Sequence, residues 1–234
     1  PFQTLRCAEQ IKVNLGYMKQ RICMVGLASG LVFGNLGFTH CSIEEIGVLR
    51  SIPNISIVVP SDPFELFKIL EEAVNYKNSL YIRLTADANT RIINSKDYKF
   101  KIGKAIEIIS GDDVAIISCG NILGNCIDAA LSLKKKNISC SVINMHTIKP
   151  IDKKKIIEIS KKFKLIITVE EHNIIGGLGR AVAEVLSGEI SSTKLVRLGA
   201  DDYYSSGGSY EYLKNTYGLS VKKIISTILK NHEK

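Results

Sequence analysis

G-N-L-G-F-T-H-C-S-I-E-E-I-G-V-L-R-S-I-P-N-I-S-I-V-V-P, residues 34–60, places a loop, a helix and a strand in quick succession. Gly30, Gly34 and Gly37 mark a loop where the backbone turns tightly or admits a close neighbour, because glycine carries no Cβ penalty there. His40 closes that loop. Ser42 with Glu45 three residues on reads as a capping box, and Ile43, Ile46 and Leu49 supply an apolar face. The spacing therefore predicts a short amphipathic helix starting directly after the histidine. Its amide end would point at His40, favouring a neutral imidazole and suiting an anionic ligand. From the residues alone two readings of His40 stand: a loop histidine with a local hydrogen bond, or an active-site group.

Working outward, Cys7, Ala8, Ile11 and Leu15 share one helical face. Residues 21–27, 55–59 and 80–84 are apolar runs of strand length, the first read as a buried strand delivering the glycine loop. Asp62, Pro63 and Glu65 open a helix whose stripe is Leu66, Ile69, Leu70 and Ala73. Residues 87–101 are polar and aperiodic and read as a linker. A second alternating set follows, with strands at 114–118, 140–144, 165–169 and 195–198 and helices at 122–135, 153–162, 178–186 and 221–229. The expected fold class is α/β: two three-layer domains with mostly parallel sheets, over 1–88 and 103–234, joined by a linker at 89–102.

Composition excludes several functions. The formal charge is +8, yet the lysines are spread along the chain without interleaved aromatics, so a nucleic-acid surface is not expected. Lys134 to Lys136 fall at a helix end, where cations favour the dipole. No stretch approaches the ~20 apolar residues of a membrane helix. The six cysteines form no C-x-x-C pair, which suggests buried free thiols in a reducing, cytoplasmic setting and argues against zinc; no metal ligands are assigned. The first ten residues lack an apolar signal segment and an initiating methionine, and read as the middle of a folded protein.

G-x-x-G-x-T-H-x-x-x-E-E-I, followed by L-R-S-I-P-N and P-S-D, resembles the pyrimidine-binding domain of transketolase and its thiamin-diphosphate-dependent relatives. T-I-K-P-I-D and V-E-E-H-x-x-x-G-G-L-G in the second half resemble the C-terminal domain shared by transketolases, deoxyxylulose-phosphate synthases and 2-oxo-acid dehydrogenase beta subunits. The resemblance implies transfer of a two-carbon ketol unit between sugars, with 1-deoxyxylulose-5-phosphate synthase, a dehydrogenase beta subunit or a non-catalytic interaction module as alternatives. It implies thiamin diphosphate with Mg²⁺ held mainly by an N-terminal transketolase-like domain or subunit, and a homo- or hetero-oligomer.

By the same resemblance His40 faces the substrate and handles a proton, and Phe2 and Arg6, followed by Glu9-Gln10-Ile11, line the aminopyrimidine pocket; core packing is the competing reading of Phe2. Departures concern the substrate. Ala28 and Thr85 to Ala86 stand where the family's sugar-phosphate enzymes place a histidine and an arginine, and Leu36 replaces an acidic residue. Arg83 is the neighbouring basic residue and the candidate substrate contact, its direction depending on strand alternation. Gly176-Gly177-Leu178-Gly179 lacks the spacing of a dinucleotide loop. Glu170, Glu171 and His172 read as a hydrogen-bonded loop, His146 as structural and His232 as a surface residue.

Overall fold

A computed structural model of the chain describes residues 1–85, 90–95, 97–190 and 192–232. Helix α1 (Ala8–Gln10) runs on as a π-helix through Ile11–Tyr17, burying Ile11 and Leu15. Strand β1 (Cys23–Gly26), helix α2 (Glu45–Ser51), strand β2 (Ile55–Val58), helix α3 (Pro63–Ala73) and strand β3 (Ser79–Arg83) follow. β1 and β2 both pair parallel with β3. β1 lies at the sheet edge, with Val25 42% exposed, so the expectation of a buried strand there is corrected.

The second unit comprises β4 (Ile106–Ile109), β5 (Val114–Ser118), α4 (Leu123–Lys134), β6 (Cys140–Asn144), β7 (Thr147–Lys149), α5 (Lys153–Lys162), β8 (Leu165–Asn173), α6 (Leu178–Leu186), β9 (Lys194–Ala200), α7 (Tyr210–Thr216) and α8 (Val221–His232). Its sheet order is β4-β6-β5-β8-β9, parallel except for β4. β7 leaves this unit and pairs antiparallel with β2, opposing Ile57 with Lys149 and Val58 with Thr147. Ile57 and Tyr81 of the first sheet accordingly share one apolar cluster with Ile117, Ile143 and Ile166 of the second. β4, β7 and α7 were not expected. Among the described residues no helix is long and apolar enough to cross a membrane.

Two further expectations change. The Ser42–Glu45 capping box does not form: α2 begins at Glu45, and the Ser42 hydroxyl is buried without a partner. The backbone of Ser42 is instead paired with Gly30, through N–H···O bonds of 2.8 and 3.1 Å. Glu170, Glu171 and His172 lie on the buried end of β8, not in a loop. At α3, Asp62 accepts from the Glu65 amide at 2.8 Å as a cap should, but Glu65 closes on the Ser61 amide and hydroxyl, both at 2.7 Å. The stretch read as a linker is tied down there too: Ile93 and Asn94 amides donate to Asp62 at 2.7 and 2.6 Å. The expected boundary at 88/89 lies outside the described residues.

The two units meet around Glu45 and Arg83. Both are buried and ion-paired, and the Arg83 guanidinium also donates to the carbonyls of Ser42 at 3.0 Å and Glu171 at 2.8 Å. Burial alone would raise the Glu45 carboxyl; the Arg83 charge overrides it and holds it below the ordinary carboxylate range. Glu171 accepts from the Leu31 amide at 3.3 Å and the Tyr210 hydroxyl at 2.8 Å. Gly47 and Gly176 cross so closely that a Cβ on Gly176 would stand 2.7 Å from the Gly47 Cα.

Removing one member of the ion pair strands a buried charge, so Arg83→Met should cost about 3–5 kcal/mol in urea unfolding, and Glu45→Leu/Arg83→Met should recover most of it. Burial pushes the Glu170 carboxyl up from 4.5 to about 7, against two amide hydrogen bonds. Its stabilising contribution is full below 4.5 and is lost as pH rises through about 7. Urea midpoints of Glu170→Gln relative to wild type should therefore rise across that window and level off above it.

Candidate active site

The glycine loop, the first turn of chain and β3 enclose a cleft of about 160 Å³, lined by Pro1, Phe2, Gln3, Thr4, Gly26, Leu27, Ala28, Ser29, Phe33, His40, Ser42 and Tyr81. His40 is set by its own loop: its amide donates to the Gly37 carbonyl at 3.0 Å, and Gly37 turns with φ +77°, where an L side chain would be strained. The imidazole Nδ1 shares a hydrogen bond of 3.0 Å with the Thr39 hydroxyl. Nε2 makes none among the described residues. The Phe2 ring meets the imidazole edge-on at 5.2 Å, and the Arg6 guanidinium sits over that ring, 4.5 Å from its centroid.

Phe2, Arg6 and His40 are thus gathered in one place, although Phe2 and His40 are distant in sequence. Arg83 does not line the cleft; its guanidinium is committed to Glu45 and two carbonyls behind it. Ala28 lines the wall in a left-handed conformation, φ +59°. Thr85 is buried, and Ala86 lies outside the described residues. No cationic side chain lines the cleft among the described residues.

Sequence reasoning missed Thr4, Ser42 and Tyr81. Thr4 and Ser42 each carry a buried hydroxyl without a hydrogen-bond partner, which leaves two polar atoms unsatisfied in the wall. Tyr81 reaches the cleft because Gly26 on the neighbouring strand has no side chain: a Cβ there would stand 2.5 Å from the phenol oxygen. Burial raises the Tyr81 phenol, keeping it neutral. Only the glycine at the strand end hinted at this close approach.

At the glycine-rich turn of the second unit the helix N-terminus is already occupied from within the chain. Glu170 accepts from the first amides of α6, Leu178 at 2.6 Å and Gly179 at 2.8 Å, occupying the place an anionic ligand would take. Among the described residues no group of three or more His, Cys, Asp or Glu could hold a metal ion.

Residues 2–90 match the family model for the transketolase pyrimidine-binding domain, and residues 103–224 that for the transketolase C-terminal domain. The chain belongs to the transketolase family. An apulose-4-phosphate transketolase subunit from Actinobacillus succinogenes is 36% identical over 230 residues, which are 98% of this chain and 74% of that protein. A putative transketolase C-terminal section of Methanocaldococcus jannaschii is 34% identical, over 100% of this chain and 73% of that one. The solved structure of a split gene transketolase, described as an inactive beta4 tetramer, superposes with a TM-score of 0.86 at 28% identity, covering 99% of this chain and 73% of that chain. This transketolase chain is the C-terminal part of a transferase of a thiamin-diphosphate-dependent family, and its fold is that of the family.

Because Gly26 and Tyr81 interlock, Gly26→Ala should force the phenol aside and lower stability by about 1–3 kcal/mol in urea unfolding. Adding Tyr81→Phe removes the closest atom and should recover part of that loss.

Proposed function

We propose that the cleft beside His40 is where this transketolase chain meets a sugar substrate and the pyrimidine end of thiamin diphosphate, within an enzyme that moves a two-carbon ketol unit. The observation that carries the reading is the open Nε2 of His40 beside an exposed aromatic face. A cavity of ~150 Å³ holds one small aromatic ring, so the cleft's volume suits a pyrimidine. Its two orphaned hydroxyls, on Thr4 and Ser42, offer the hydrogen bonds such a heterocycle needs. Phe2 stacks with the ring and Arg6 braces Phe2 from the other side. When bound, thiamin diphosphate supplies the electron sink for cleaving a carbon-carbon bond next to a carbonyl.

His40 then holds or delivers a proton at a substrate hydroxyl through Nε2, with Thr39 orienting the ring through Nδ1. The diphosphate and Mg²⁺ belong to an N-terminal transketolase-like domain or subunit, as the family resemblance implies, where oxygen ligands in near-octahedral geometry would hold the metal. The working enzyme is accordingly an oligomer that brings that domain against this cleft. Arg83 serves the site from behind, by fixing the carbonyl of Ser42. Free thiols at all six cysteines agree with a cytoplasmic setting.

In the enzyme completed with its diphosphate-binding domain, His40→Ala should lower kcat/KM by about 10²- to 10⁴-fold with the unfolding midpoint unchanged. Steady-state kinetics of ketol transfer decides it: turnover at the wild-type rate overturns the assignment.

A further inference from the structure

A groove of about 550 Å³ opens on the seam between the two units, away from the His40 cleft, with none of its lining residues in common. Arg50 comes from the last turn of α2, Arg180 and Glu184 from α6, and Arg197 from β9. The crossing of Gly47 and Gly176 also lines it, and there a Cβ on Gly176 would collide with the Gly47 backbone at 2.7 Å.

Three arginines and one carboxylate line the groove. Glu184 is 2.6 Å from Arg50 Nη2 and 3.5 Å from Arg180 Nε. Arg50 also donates to the Gly176 carbonyl at 2.9 Å. Among the described residues Arg197 donates only to the Ile174 carbonyl, at 2.9 Å, and its stem packs where a side chain at Gly179 would collide. Arg180 has no partner besides Glu184 among the described residues. A guanidinium carries more N–H donors than these bonds use, so the groove is lined by unspent donors and by three cationic side chains against the single carboxylate of Glu184, with the Arg197 charge also felt by the buried Glu170.

We infer that this groove binds a compact tetrahedral oxyanion, the phosphate group of a small molecule. Planar guanidinium forks match phosphate oxygens in pairs, and arrangement from three elements suits one group better than an extended acidic segment. The lining agrees: Ile175 is its one large apolar residue, so nothing in it favours a bulky hydrophobic ligand. Glu184 acts as the internal counter-ion, holding Arg50 and Arg180 until the anion arrives. Because Arg50 belongs to the first unit and Arg180 and Arg197 to the second, the bound anion bridges them.

Calorimetry of the full chain with inorganic phosphate, at constant ionic strength against a sodium chloride blank, tests this directly. Phosphate should bind where chloride gives no heat. Arg180→Gln, at an exposed position, should weaken it about tenfold with the unfolding midpoint retained in the absence of phosphate. Glu184→Gln, which removes the competing carboxylate, should tighten it several-fold, an effect that a purely structural ion pair would not produce. No phosphate heat with wild type and Glu184→Gln, or one affinity across all three proteins, overturns the proposal and leaves the groove a self-neutralised surface.

Discussion

A carboxylate and a guanidinium buried against each other, Glu45 on α2 and Arg83 at the end of β3, are the constraint on which the junction depends. Removing two charges from water costs several kilocalories per mole each, and mutual attraction compensates only when the remaining donors are also satisfied. Arg83 meets that condition by donating to the carbonyls of Ser42 and Glu171, one from each side of the junction. The same bonds dictate where Ser42 sits and hence where the glycine loop ends. One oxygen of Glu45 stays without a partner, so the pair is costly to keep and costlier to break.

The acidic end of β8 extends this logic into the second unit. Glu170 closes the N-terminus of α6, and Gly177 beside it tolerates no side chain, since a Cβ would stand 1.9 Å from the carboxylate. Glu171 braces Leu31 and Tyr210, and the His172 ring accepts from the Gly47 amide at 3.4 Å. Burial lowers the His172 imidazole, keeping it neutral at this contact. Glu170, Glu171 and His172 are therefore consumed in assembly, whereas His40 keeps a ring nitrogen open.

The residues that look most catalytic in the second half, a glutamate pair beside a histidine, are thus buried braces. Thr4, Ser42 and Tyr81, which look ordinary, line the cleft. Glu170, Glu171 and His172 are buried with partners, whereas the hydroxyls of Thr4 and Ser42 are buried without them, a distinction that resides in three-dimensional neighbours.

Periodicity is a local property, and the sequence alone located the elements long enough to show it: β5, β6, α5 and α6 stand at the residues their patterns indicate. The linked T-H, L-R-S-I-P-N and G-G-L-G signatures likewise carried the family, because each is a run of adjacent residues. Only the tertiary structure decided the rest. It took Glu45 from an expected cap and gave it to Arg83, turned Arg83 away from the cleft, set β1 at an open edge and carried β7 across to β2. Each outcome depends on contacts between residues far apart in the chain, and a buried charge selects its partner by position and desolvation, which no local spacing encodes.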